Sequence, residues 1–295
     1  VNMKKRTQAT ILREQLSKEG VIISPLVYDA ISAKVAKAAG FQVLGTSGFS
    51  MHAAMLGTPD NGQLAFNEMV EALGKMVDAV ELPIIADAEA GYGNAINTIR
   101  TIRCFEKAGI AGVFIEDQQM PPNCPHVKET KVISTEEMCG KIRAAVDARE
   151  DPDFLIIARS DAPFADAVER AKAYMEAGAD MIKIDPKTRW ELEELPKRVD
   201  AKLHISFDCS EITKGMTAYD AGEIGYKIVT YPTAPLLSSL YGMMMNMKKL
   251  YETGTDWGFV DNMMPFNEFL KFIGKEEYIE SVSYTHLRAH ETSLH

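Results

Sequence analysis

The stretch at residues 83–93 reads Pro-Ile-Ile-Ala-Asp-Ala-Glu-Ala-Gly-Tyr-Gly. Its first half is a short apolar run of the kind that a strand buried on both faces requires. The run ends in two carboxylates at i and i+2, Asp87 and Glu89, and glycines follow at 91 and 93 where the backbone must turn sharply. Two carboxylates at the mouth of a buried strand repel each other and lose hydration, so a positive partner is expected beside them. A hard cation such as Mg²⁺, held by one or two carboxylates together with water and substrate oxygens, would supply it. The competing reading is a plain acidic turn after a strand.

Around this stretch a local phrase recurs four times: a helical segment, then Ala-Gly, then a strand. Ala39-Gly40 precedes 41–46, Ala108-Gly109 precedes 112–116, Ala177-Gly178 precedes 180–185, and Ala221-Gly222 precedes 226–231. Glycine just past a helix end closes the last turn in the left-handed conformation, and tight helix-to-strand connections wind a parallel sheet. Strands at 21–24, 82–87, 154–159 and 203–207 bring the expected number to eight. Between strands, apolar residues fall at helical spacing, as in Phe66, Met69, Val70, Leu73, Met76 and Val77. Ser134 and Glu137 have the spacing of a capping box that opens a helix running to about Arg149.

Eight strands alternating with helices in a 295-residue, 46% hydrophobic chain predict an α/β fold, a (β/α)₈ TIM-type barrel. A doubly wound open sheet competes, but no G-x-G-x-x-G follows the first strand. The barrel domain is expected to span 1–280, including a helix at 236–250 and a helical tail at 256–278. That tail carries Trp257, Phe259, Phe266, Phe269 and Phe272, more aromatic surface than a terminal helix can bury alone, so it is expected to pack on a neighbouring subunit. Residues 281–295 have no helical or strand period and hold three of the six histidines. They are set aside as a non-native tail.

A formal net charge of −10 argues against a nucleic-acid partner. No apolar run reaches membrane-spanning length, and the opening Val-Asn-Met-Lys-Lys-Arg lacks the apolar core of a signal peptide. Cysteines 104, 124, 139 and 209 show no C-x-x-C spacing, so a reduced, cytoplasmic setting is expected.

In a barrel, function sits at the C-terminal ends of the strands. Those ends carry Thr46-Ser47-Gly48, Asp87 and Glu89, Glu116-Asp117-Gln118, Arg159-Ser160-Asp161, Lys183-Ile184-Asp185 and Asp208-Cys209-Ser210-Glu211, with Asp60 nearby. Converging acids around an arginine, a natural carboxylate clamp, point to a metal-assisted site for a small, multiply anionic substrate. The prolines of the loop Pro121-Pro122-Asn123-Cys124-Pro125-His126 are expected to hold it extended. Its Cys and His suit an acid/base pair over the site; the alternative is a lone loop cysteine beside a surface histidine.

The order Tyr28-Asp29-Ala30, Thr46-Ser47-Gly48, Asp87-x-Glu89-x-Gly91-Tyr92-Gly93, Glu116-Asp117-Gln118, Cys124-x-His126 and Arg159-Ser160-Asp161-Ala162 resembles the isocitrate lyase/phosphoenolpyruvate mutase superfamily. The closest likeness is to its methylisocitrate lyase and dimethylmalate lyase branch. That resemblance implies a homotetramer with C-terminal helices swapped between subunits, and Mg²⁺ (or Mn²⁺) held by Asp87, Glu89 and Glu116 with Asp60 close by. It further implies retro-aldol cleavage of a 2-hydroxy acid. Arg159 would bind the 2-oxo acid product, and Ser47 and Gly48 its carboxylate. Tyr28, Asp185, Asp208 and Ser210 would complete the substrate site. Cys124 would be the proton donor, with His126 and Glu211 orienting it or returning its proton.

The chain departs from the family pattern in its lid, where Lys-Lys/Arg-Cys-Gly-His becomes Pro122-Asn123-Cys124-Pro125-His126. Two cations are gone, and Asp208 stands where the family has Asn. A dicarboxylate, or a substrate with a neutral distal group, therefore fits better than a tricarboxylate. The first reading is a Mg²⁺-dependent carbon–carbon lyase that releases pyruvate or a close 2-oxo acid from a substituted malate. The others are oxaloacetate or acyl-pyruvate hydrolase or decarboxylase chemistry on the same scaffold, and a non-catalytic binding protein with an altered lid.

Overall fold

The computed structural model of the chain describes residues 6–120 and 130–279. Eight parallel strands pair in sequence order, and the last closes on the first. They are β1 (Ile22–Val27), β2 (Leu44–Thr46), β3 (Ile84–Asp87), β4 (Gly112–Glu116), β5 (Leu155–Ser160), β6 (Met181–Ile184), β7 (Leu203–Ser206) and β8 (Tyr226–Tyr231). The helices are α1 (Gln8–Ser17), α2 (Ala30–Ala38), α3 (Gly48–Leu56), α4 (Phe66–Ala79), α5 (Ala95–Lys107), α6 (Thr135–Ala148), α7 (Phe164–Glu176), α8 (Arg189–Arg198), α9 (Ala218–Glu223), α10 (Ala234–Thr253) and α11 (Phe266–Phe272).

Alternation along the strands divides the apolar residues into two layers. Ile85, Phe114, Leu155, Ile157, Met181 and Ile228 fill the barrel, and Leu12 and Leu16 of α1 join the same cluster. Their strand neighbours, such as Ile84, Val113, Ile156 and Ile182, face the helices and make up the larger core. Filling the barrel from below leaves its polar, functional residues at the C-terminal rim.

The Ala-Gly phrase performs as expected at three of its four positions, where Gly40, Gly109 and Gly178 take φ of 99°, 88° and 105°. At the fourth, α9 runs on through Gly222, and Gly225 (φ 119°) makes the turn instead. A Cβ on Gly222 would come within 2.9 Å of Val21 Cβ, so that glycine serves close packing rather than turning. Ser134 caps α6 through the Glu137 N–H at 3.1 Å, and the helix ends at Ala148. β1 runs through Pro25 to Val27, beyond the expected stop at residue 24.

The chain divides into two compact units, residues 1–238 and 239–295. The expected 256–278 helix is broken: a 3₁₀ turn (Val260–Asn262) comes first, and α11 begins only after Pro265. Within the second unit Tyr251, Trp257 and Phe266 are 91%, 80% and 72% exposed. Among the described residues no helix is long and apolar enough to cross a membrane.

Candidate active site

The site is built around the end of β3, where the backbone is bent to order. Glu89 and Tyr92 have φ of 49° and 57°, left-handed values that cost a non-glycine residue about 1 kcal/mol each, and Gly91 (φ 82°) lies between them. Hydrogen bonds hold the bend. Asp87 N–H donates to Thr46 Oγ1 (3.1 Å), Glu89 N–H to Asp87 Oδ1 (2.9 Å), and Glu116 N–H to the Glu89 carbonyl (2.9 Å). Gly48 N–H, at the start of α3, donates to Asp87 Oδ2 at 2.8 Å.

Three carboxylates converge on the space that Gly48 leaves open. A Cβ there would lie 2.4 Å from Glu89 Oε1, 3.1 Å from Asp60 Oδ2 and 3.3 Å from Asp87 Oδ2. Glu89 Oε1 is buried without a hydrogen-bond partner. A ligand atom from each of His52, Asp60 and Glu89 falls within a 4.8 Å cluster of the kind that can hold a metal ion. His52, however, has both ring nitrogens engaged. Its Nδ1 lies 2.8 Å from the Gly48 carbonyl, which can only accept, and its Nε2 lies 3.0 Å from Leu64 N–H, which can only donate. Asp60 Oδ1 is 3.3 Å from Nδ1, but the single ring proton goes to Gly48, leaving Oδ1 without a hydrogen bond. The free donor set is therefore oxygen-only, which suits a hard divalent cation.

The electrostatics agree. Burial, then the charges of Asp87, Glu116 and Asp60, pushes Glu89 well above the usual carboxylate range. Burial raises Glu116 to about 8 against the opposing pull of Arg159, with Asp161, Asp87 and Asp60 adding to the rise. Asp60 is raised by burial and by Asp87. A carboxylate cluster this reluctant to ionise is short of positive charge.

Arg159, on β5, is the fixed cation. Burial works against its charge, but Asp161 and Glu116 outweigh it and hold the guanidinium protonated. Nη2 and Nε donate to Asp161 Oδ1 at 3.1 and 3.2 Å, and Nη1 is 3.3 Å from Glu116 Oε2. Asp161 is itself held by Gln118 Nε2 (2.8 Å) and by its own N–H to Asp117 Oδ1 (3.0 Å). Asp117, fully buried, accepts from Ser160 Oγ (2.7 Å) and Tyr174 Oη (2.8 Å), with Arg170 Nη1 at 3.3 Å. This is a rigid foundation beneath one guanidinium.

The rim encloses a cavity of about 240 Å³ whose wall includes Ser47, Asp60, Asp87, Glu89, Glu116, Arg159, Asp185 and Asp208, all expected from sequence. Asp185 has both oxygens engaged, one by Ser206 N–H at 3.0 Å and the other by Lys183. Gly48 adjoins the carboxylates, with its N–H given to Asp87. Tyr28 is half-buried beside the cap of α2 and outside the cavity wall. Ser210 and Glu211 line a separate depression with Cys209 and Lys214, and the Glu211 side chain is 84% exposed and paired to Lys214. Cys124 and His126 lie outside the described residues. Lys183 and Phe114 are wall residues to which the sequence reading gave no role. The inward alternation of Arg159, Lys183 and His204 across paired strands is the signal that could have found Lys183.

A closed eight-stranded barrel carrying these acids and this arginine on its rim defines a known class of enzyme. The chain belongs to the phosphoenolpyruvate phosphomutase family, whose sequence model matches residues 12–251. It is 39% identical over 280 residues to the 2,3-dimethylmalate lyase of Eubacterium barkeri, covering 92% of this chain and 96% of that protein. It is 37% identical over 273 residues to a 2-methylisocitrate lyase of Aeropyrum pernix, covering 91% and 88%. Among solved structures, oxaloacetate acetylhydrolase bound to the inhibitor 3,3-difluorooxalacetate matches with a TM-score of 0.88 at 27% identity, covering 95% of this chain and 97% of that one. Phosphonopyruvate hydrolase in complex with oxalate and Mg²⁺ matches with a TM-score of 0.86 at 26% identity, covering 96% and 100%. The fold and superfamily expected from the strand-end motifs are thereby established.

Proposed function

We propose that the chain is a Mg²⁺-dependent carbon–carbon lyase cleaving a small, substituted-malate type of 2-hydroxy dicarboxylate to pyruvate or a related 2-oxo acid. The observation that carries this reading is the oxygen-only cluster around Gly48, with one rigid arginine beside it. The relatedness to two lyases of 2-hydroxy acids supports it, as does the Mg²⁺ and oxalate bound by a protein of the same fold. Asp87, Glu89 and Glu116 would hold the ion, with Asp60 beside them. Mn²⁺ could replace Mg²⁺ on the same oxygens. When bound, the ion supplies positive charge where an oxyanion develops.

The chain's own residues do the rest. Arg159, locked by Asp161, pairs the carboxylate of the 2-oxo half. Ser47, the N-cap residue of α3, lines the cavity and would receive the same carboxylate through its hydroxyl. The 2-hydroxyl gives its proton to a carboxylate of the cluster, and the C2–C3 bond breaks. C2 becomes the carbonyl carbon, and the electron pair passes to the departing fragment. The Cys124 thiol, whose ordinary pKa of about 8.5 suits a proton donor to a carbanion, delivers the proton that completes the second product. The second reading, hydrolysis of oxaloacetate, draws on the likeness to the acetylhydrolase and would yield no pyruvate.

The test is pyruvate release from a panel of 2-hydroxy diacids, coupled to lactate dehydrogenase, with and without Mg²⁺. Asp87→Ala should abolish turnover and calorimetric Mg²⁺ binding while the protein stays folded. Undiminished Mg²⁺ binding in that variant would overturn the site. A reduced, cytoplasmic setting belongs to the same proposal. A homotetramer accords with the exposed Tyr251, Trp257 and Phe266 of the second unit, and light scattering from the full chain should report it.

A further inference from the structure

Lys183 is a buried ammonium with more hydrogens than acceptors. It is 2% exposed, stands on β6 between Arg159 of β5 and His204 of β7, and borders the cavity. An ammonium carries three N–H donors. Among the described residues its one hydrogen-bond acceptor is Asp185 Oδ2; Asp185 Oδ1 is taken by Ser206 N–H at 3.0 Å. Arg159, beside it, offers no acceptor. A buried charge left with unused donors costs stability unless something supplies oxygens. The open side of Lys183 is the cavity.

Among the described residues the cations in the cavity wall are Arg159 and Lys183. Arg159 already faces Glu116 and Asp161. A substrate with two carboxylates needs a second cation, and Lys183 is the one the barrel provides. Burial, the larger effect, lowers its pKa from the ordinary lysine value, and Asp185 opposes that fall. Burial also disfavours ionised Asp185, but Lys183 and Arg159 outweigh that and keep the carboxyl well below its usual range. The pair is a prepositioned ammonium with its counter-ion held in place from the strand side.

We propose that Lys183 receives the distal carboxylate of the substrate and is the residue that makes this enzyme select dicarboxylates. Asp185, expected from sequence to touch substrate, acts instead by positioning Lys183. The assignment rests on the dicarboxylate reading above, so its test includes an arm that does not need turnover.

In the full-length protein, kcat/KM is compared for the best 2-hydroxy diacid and for its distal monoamide, in wild type, Lys183→Gln and Lys183→Arg. Loss of one charge-assisted contact predicts a fall of about 10- to 100-fold on the diacid, chiefly in KM. The monoamide should change little, and Lys183→Arg should keep part of the preference. Because Lys183→Gln leaves Asp185 buried without its partner, the double variant Lys183→Met/Asp185→Asn removes both charges together and should lose selectivity in the same way. In parallel, malonate and its monoamide are titrated calorimetrically into the Mg²⁺-loaded proteins. Diacid-selective binding that disappears with Lys183 supports the assignment even if no lyase turnover is found. Turnover with an unchanged diacid-to-amide ratio in the variants, or equal losses on both ligands, overturns it and leaves the lyase reading standing.

Discussion

Placing a methyl group on Gly48 should separate the carboxylate cradle from the fold that carries it. The Cβ of Gly48→Ala would lie 2.4 Å from Glu89 Oε1, where a carbon–oxygen contact needs about 3.4 Å, so that oxygen must retreat by roughly 1 Å. Asp60 Oδ2 at 3.1 Å and Asp87 Oδ2 at 3.3 Å need give way only slightly. Glu89 Oε1 is the end of a side chain and can move without the backbone. Alanine in place of glycine also restricts the unfolded chain, worth about 0.4–1 kcal/mol, which offsets the crowding. Thermal stability should therefore stay near wild type. A ligand oxygen displaced by about 1 Å should cost on the order of 100-fold in Mg²⁺ affinity and kcat/KM, or about 2.7 kcal/mol. Calorimetric Mg²⁺ titration beside a thermal melt reads both, with Gly74→Ala, whose methyl meets open space on α4, as the control. Wild-type Mg²⁺ affinity in Gly48→Ala would refute the cradle.

Three further outcomes follow from the proposed function. Asp161→Asn removes the charge that pins Arg159 and should lower kcat/KM about tenfold with Mg²⁺ affinity unchanged; loss of Mg²⁺ binding instead would contradict its positioning role. Glu116 is raised from 4.5 to about 8, so its contribution to the metal-free fold is fully present below its unfolded value and is lost as pH rises through about 8. Mg²⁺ must displace that proton, so affinity should climb between pH 6.5 and 8.5 with proton release, measured by calorimetry in buffers of different ionisation enthalpy; a flat profile would contradict it. Cys124→Ser should lower kcat by orders of magnitude while Mg²⁺ and pyruvate binding hold, and a wild-type kcat would make the thiol structural.

The barrel was legible because its signals are local: an Ala-Gly turn phrase, apolar runs of strand length, and helical spacing between them. It failed at Gly222, where close packing used the same residue type as a turn, and in the 256–278 tail, where a 3₁₀ turn and Pro265 break the expected helix. The acids and Arg159 were legible because alternation puts strand-end residues on one rim. The work of Asp117 and Asp161 was not, since side chains beneath Arg159 are joined through Ser160, Tyr174 and Arg170, contacts that only the folded chain brings together. Lys183 was given no role beside Asp185 for a related reason: spacing shows that two groups share a strand end, not which of them keeps donors free. Glu211 was carried over from a family pattern, and its partner here is Lys214.

The most direct measurement is carbon-13 NMR of the complete reaction of the wild-type protein with Mg²⁺ and uniformly labelled 2-hydroxy diacid. Retro-aldol cleavage predicts one 2-oxo acid and one saturated acid in equal amounts, their carbons summing to the substrate's, with a single solvent deuteron at the former C3 in deuterated water. Release of CO₂, or oxalate formed from oxaloacetate while no 2-hydroxy diacid is cleaved, would contradict the lyase reading.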